Sequence, residues 1–120
     1  MLNIKDVNLQ YVKDYYALCN INFKFEKGKI YNLVGETGSG RASLLRCIAK
    51  LEDSYSGIIE YDGKNIKDID YSSQLGVGLV TEVPVLLENK DVVNNLKYVI
   101  ENRKIVNSEE ESNYLISQVL

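Results

Sequence analysis

Three glycines fall inside the nine residues Gly35-Glu36-Thr37-Gly38-Ser39-Gly40-Arg41-Ala42-Ser43, and no other stretch of the chain restricts its fold as tightly. Gly35 and Gly40 have the spacing of the phosphate-binding pattern G-x-x-x-x-G-K-[ST]. In that pattern consecutive backbone N–H groups wrap a phosphate and a lysine reaches its outer oxygens. Gly38 adds a third flexible point. The flanks agree with this reading: Lys29-Ile30-Tyr31-Asn32-Leu33-Val34 reads as a buried strand, and Ala42 to Leu51 as a helix with Leu44, Leu45, Ile48 and Leu51 on one face. Strand, glycine loop and helix in this order aim a helix N-terminus at an anion. The competing reading is a glycine-rich turn that binds nothing.

Two side chains depart from the pattern. Arg41 stands where the lysine belongs, and Ala42 where a hydroxyl would ligate Mg²⁺. Arginine keeps the charge but is a planar fork bulkier than an ammonium, so γ-phosphate contact is expected to be weakened or rearranged. Ala42 offers no oxygen, although Mg²⁺ on a nucleotide is held largely by phosphates and waters. Ser43 lies one position beyond the expected hydroxyl but remains within reach of a phosphate oxygen. Gly35, Gly38, Ser39, Gly40, Arg41, Ala42 and Ser43 are therefore the candidate nucleotide-binding residues, and binding is expected to outlast catalysis.

With 120 residues there is room for one domain. The net charge of −3 and a pI near 5.0 give no support to nucleic acid as a partner. No apolar run is long enough to span a membrane and Met1-Leu2-Asn3-Ile4-Lys5 lacks signal-peptide form, so a cytoplasmic location is expected. Cys19 and Cys47 have no metal-ligand spacing, and the chain contains no histidine; both cysteines read as packing residues.

Leu2 to Val7 alternates apolar and polar residues as a half-buried strand does, and Leu18 to Phe25 reads as a second strand ending at Lys27-Gly28. Gln10 to Tyr16 between them reads as a loop with three tyrosines. Gly57 to Tyr61, the turn Asp62-Gly63 and Lys64 to Ile66 form a hairpin pattern. Leu75 to Val80 reads as a buried strand. Asp91 is a helix cap before Val92, Val93, Leu96, Val99 and Ile100, and Ser108 with Glu111 makes a capping box before Leu115, Ile116 and Val119. Periodicity runs to Leu120 without a stop signal, as expected of a chain that ends inside a larger fold.

These ordered features resemble the N-terminal part of an ATP-binding cassette (ABC) transporter ATPase subunit over essentially all 120 residues. The resemblance rests on Leu18 to Phe23 before Glu26-Lys27-Gly28-Lys29, on the glycine loop with Leu44-Leu45, and on Ser56-Gly57 and Tyr61-Asp62-Gly63. It continues through Val77-Gly78-Leu79-Val80-Thr81-Glu82 and Val92 to Leu96. The fold it implies is α/β of the phosphate-loop NTPase type: an antiparallel β layer plus strand, loop and helix. Residues 1–90 would be a partial nucleotide-binding core and 91–120 the start of a helical subdomain.

The resemblance further implies ATP with Mg²⁺ as ligand, Tyr11 as the aromatic that stacks on adenine, and Glu82 at the position where the family carries the glutamine of its Q-loop. Glu82 could then supply the metal oxygen that Ala42 lacks. A carboxylate about 5 Å from a phosphate oxygen costs roughly 3 kcal/mol at an effective dielectric of about 20, and a metal between them reverses the sign. The implied partners are a transmembrane permease, contacted after Glu82 at Val83, Pro84, Val85, Leu86 and Leu87, and a second ATPase subunit, identical or different, closing over ATP. The family's signature sequence, its Asp-Glu strand and its switch histidine have no counterpart in these residues, so hydrolysis by this chain alone is not expected. A non-catalytic interaction module on the same fold is the alternative. A small kinase fits less well, because the strands before the loop are foreign to it.

Overall fold

A computed structural model describes residues 1–70, 77–83, 85–102 and 109–119, which divide into two units, Met1–Ile69 and Asp70–Leu120. The first unit is built on a four-stranded antiparallel sheet. Strands β1 (Leu2–Val12), β2 (Tyr15–Phe25), β3 (Ser56–Tyr61) and β4 (Lys64–Asn65) lie in the order β2-β1-β3-β4. The hairpin β3–β4 turns at Asp62-Gly63 as its sequence predicts, and Ile66–Asp68 continues as a single 3₁₀ turn.

The long hairpin β1–β2 differs from its sequence reading, and the reason is local. Gln10 to Tyr16, expected as a loop, is mostly strand: Gln10 pairs with Tyr16 and Val12 with Tyr15. The β1–β2 register shifts at four points, and at the first two of them Asp6 and Asn20 adopt left-handed backbone with φ of 50° and 48°. Ile4 and Val7 are consequently both buried although three positions apart. Asparagines satisfy the freed backbone groups, because the N–H of Asp6 donates to Asn22 Oδ1 at 2.9 Å and that of Asn20 to Asn8 Oδ1 at 2.7 Å.

Helix α1 (Arg41–Ile48) buries Leu44 and Cys47 beside Ile4, Val7, Leu9, Leu18 and Ile59 of the sheet, with Ile66 and Ile69 in the same core. Of the face read from sequence, Leu45 and Leu51 are exposed, and Cys47 takes the inward place. The larger departure is Lys29 to Val34. It forms no strand, and Ile30 and Val34 are 101% and 80% exposed. A run that is apolar on both faces needs a ladder neighbour to satisfy its backbone, and no strand of the described residues lies beside it.

The second unit holds α2 (Val92–Asn102) and α3 (Glu109–Ser117). Asp91 caps α2 as read from sequence, its Oδ1 accepting the N–H of Asn94 at 2.8 Å. Leu96 and Ile100 are half-buried, while Val92, Val93 and Val99 are exposed. In α3 Ile116 is buried, and Lys97 pairs with Glu109 across the two helices at 3.8 Å. Ser108 of the expected capping box, Pro84, and Leu75 of the expected strand lie outside the described residues; Val77 to Val80 are in no strand.

Gly57 carries the packing of the bulge. Its φ is +87°, and a Cβ there would stand 2.3 Å from the carbonyl oxygen of Asp6. Gly57→Ala is therefore expected to cost at least about 2 kcal/mol, from backbone strain plus the overlap. Urea unfolding measures it, and a midpoint unchanged from the parent would refute this account of the bulge.

Candidate functional site

The glycine loop is attached to β2 at both ends. On its entry side, Tyr31 packs edge-on against Phe23 and Phe25, with ring centroids 5.7 and 5.0 Å away, and its hydroxyl accepts the N–H of Glu26 at 2.9 Å. Phe23 and Phe25 themselves meet at 4.7 Å. Such edge-to-face pairs each contribute about 0.5–1.5 kcal/mol beyond area burial. Lys27 adds an ion pair to Asp62 at 2.8 Å, and this hydrogen-bonded contact raises the lysine pKa and lowers that of the carboxylate. This aromatic seat was not read from the sequence, although the Phe-x-Phe alternation on β2 was visible there.

On the exit side, Gly40 lies directly on β2. A Cβ at Gly40 would stand 2.2 Å from the carbonyl oxygen of Ala17 and 3.1 Å from Leu18, and the glycine φ is +90°. Only a residue without a side chain brings the loop this close. Gly40 is also the N-cap of α1, and its carbonyl accepts the N–H of Leu44 at 2.9 Å. No side chain caps this end of the helix and no acid lies in its first turn. The first N–H groups of a helix lack intrahelical partners and carry the positive end of its dipole.

Within the loop, the N–H of Ser39 donates to the Glu36 carbonyl at 3.1 Å, and Gly38 turns with φ +83°. Ser39 Oγ stands 2.5 Å from where a Cβ of Gly35 would be, and Arg41 Cδ 3.6 Å from the same point. The Arg41 stem thus crosses back over Gly35, and its guanidinium has no ion-pair partner among the described residues. Ala42 is exposed and Ser43 half-buried. Tyr11, 51% exposed near the end of β1, donates its hydroxyl to Ser43 Oγ at 3.3 Å.

The structure therefore brings together Tyr11, Gly35, Gly38, Ser39, Gly40, Arg41, Ala42 and Ser43. Glu82 belongs to the second unit, where it is exposed in a bend. A cradle of three glycines, a helix end without side-chain cap or acid, and an unpaired guanidinium suit a polyphosphate. A cluster of metal ligands does not accompany them among the described residues. Ala42 has no oxygen, and no group of three acidic, cysteine or histidine side chains gathers among the described residues. A magnesium ion would come with the phosphates.

In the second unit an open groove of about 520 Å³ is lined by Leu86, Leu87, Val92 and Leu96 with Glu88, Lys90 and Asn95. Asn95 shapes it. Its Nδ2 lies 3.2, 3.1 and 3.0 Å from the carbonyls of Leu87, Lys90 and Asp91, which share its two N–H groups, and its Oδ1 accepts the N–H of Leu87 at 2.8 Å. Among the described residues no helix is long and apolar enough to cross a membrane.

A family model described as "ABC transporter" matches residues 18–119. Among curated proteins, an ATP-dependent lipid A-core flippase of Blochmanniella floridana is 40% identical over 83 residues, covering 68% of this chain and 14% of the flippase. A sulfate/thiosulfate import ATP-binding protein CysA of Bacillus cereus is 34% identical over 103 residues, covering 86% of this chain and 28% of that protein. The glutamine transport ATP-binding protein GlnQ of Bacillus subtilis is 34% identical over 100 residues, covering 80% and 40%. The chain thus spans less than half the length of each of these relatives.

Cys47 reports on the seat of α1. It is fully buried, and loss of solvation pushes its thiol up to about 11, so at pH 8 it is both protonated and shielded. Cys19 is exposed. A thiol reagent at pH 8 is expected to modify Cys19 alone in the native chain. In Gly40→Ala, where the new Cβ collides with Ala17 and lifts α1, Cys47 should react as well. Protection of Cys47 in that variant would contradict the role given to Gly40.

Proposed function

The chain belongs to the ABC transporter family, matching the N-terminal portion of its ATP-binding component, and on that premise we propose that its loop binds the phosphates of ATP. The observation that carries the reading is the seating of Gly40 on β2, which fixes an uncapped helix end beside Arg41. In this proposal the N–H groups from Gly38 to Ser43 hold the inner phosphates, the Arg41 fork engages the outer one, and the Tyr11 ring stacks on the base. Residues 1–90 make the nucleotide-binding core and 91–120 open a helical subdomain.

The whole protein is proposed to energise a membrane permease from the cytoplasmic side. The groove at Leu86, Leu87, Val92 and Leu96, which follows Glu82 in sequence, supports a permease contact in that region. A second ATPase subunit, identical or different, would close over the nucleotide. Turnover is not proposed for these residues alone, because phosphoryl transfer needs a positioned water and a base beyond the phosphate cradle.

Isothermal titration of the full chain with ATP tests the reading. Saturable binding is expected, and Arg41→Ala should weaken it roughly tenfold or more, the loss of a charge-assisted contact of about 1.5–3 kcal/mol. No binding by the parent chain would favour the alternative, a non-catalytic interaction module.

A finer proposal concerns the metal. Glu82 is offered as the protein oxygen for Mg²⁺ on the strength of its carboxylate and its place in the sequence. ATP affinity should then fall sharply when Mg²⁺ is chelated, and fall less in Glu82→Gln. Equal affinity with and without Mg²⁺ in the parent chain would remove this assignment.

A further inference from the structure

Ser43 is the third residue of α1 and, with Ala42 before it, supplies the only hydroxyl in that helix's first turn. Its Oγ accepts the hydroxyl of Tyr11 at 3.3 Å, long for a hydroxyl pair and formed between residues 32 positions apart in sequence. A serine oxygen that accepts one hydrogen bond keeps its own O–H to donate elsewhere. Chains of hydroxyls polarise one another, so a proton given to Ser43 strengthens Ser43 as a donor. No acceptor for that O–H is recorded among the described residues, which leaves it available to an anion held at the unsatisfied helix end.

Resting on the ATP-binding reading, we propose that Tyr11 is a positioning residue for the phosphates: its hydroxyl orients Ser43 as a phosphate donor, independently of any contact its ring makes with a base. With no hydroxyl at position 42, hydroxyl donation from the first turn falls to Ser43, beside the Arg41 guanidinium, and Tyr11 sets the direction of its proton. Base stacking needs only the ring, whereas the relay needs only the hydroxyl, so the two roles separate chemically.

The test is a double-mutant cycle on the full chain, with Tyr11→Phe, Ser43→Ala and both together, titrated with ATP and with inorganic tripolyphosphate, which has no base to stack. Tyr11→Phe is expected to weaken both ligands by the same factor, roughly three- to tenfold, and to have no further effect in the Ser43→Ala chain. A loss confined to ATP, an unchanged tripolyphosphate affinity, or fully additive losses would overturn the relay while leaving ATP binding in place. If the parent chain binds neither ligand, the relay falls together with the nucleotide reading.

Discussion

The approach of Gly40 to the carbonyl of Ala17 is the constraint on which the first unit depends. At that point sheet, loop and helix meet with no room for a side chain. From it follow the left-handed turn that starts α1, the direction of the helix end, and the burial of Leu44 and Cys47 beneath it. The other end of the loop is held differently, by Tyr31 against Phe23 and Phe25. A flexible glycine loop fixed at both ends loses little further entropy when an anion orders it, which is the physical sense of preorganisation.

Much of this was legible in the sequence because glycine spacing, turn dipeptides and helix caps act over a few residues. Gly35 and Gly40, the Asp62-Gly63 hairpin and the Asp91 cap needed no tertiary information. The full extent of the β1–β2 hairpin was not legible. Bulges at Asp6 and Asn20 shift the inward face by one residue, so a search for strict alternation stops at Val7. Lys29 to Val34 failed in the opposite sense. Its composition signals a strand buried on both faces, but a strand is a property of neighbours, and no strand of the described residues lies beside it. The Tyr11–Ser43 contact is likewise non-local; the resemblance pointed to the Tyr11 ring, and only the fold shows where its hydroxyl goes.

The altered side chains acquire a consistent meaning within this frame. Arg41 folds back over Gly35, and it keeps its guanidinium without an ion-pair partner among the described residues. Ala42 removes one hydroxyl while Ser43, next along the helix, stays tied to Tyr11. In the proposed reading the loop backbone makes the phosphate contacts, and Arg41 and Ser43 are the side chains that add to them.

The central claim is that the backbone from Gly35 to Ser43 is the nucleotide's contact surface. Recording the amide resonances of the full chain during an ATP titration tests it most directly. The account predicts saturable shifts concentrated at Gly38 to Ser43, with Tyr11 following at the same affinity. Shifts absent from the loop, or confined to residues far from it while ATP binds, would contradict it.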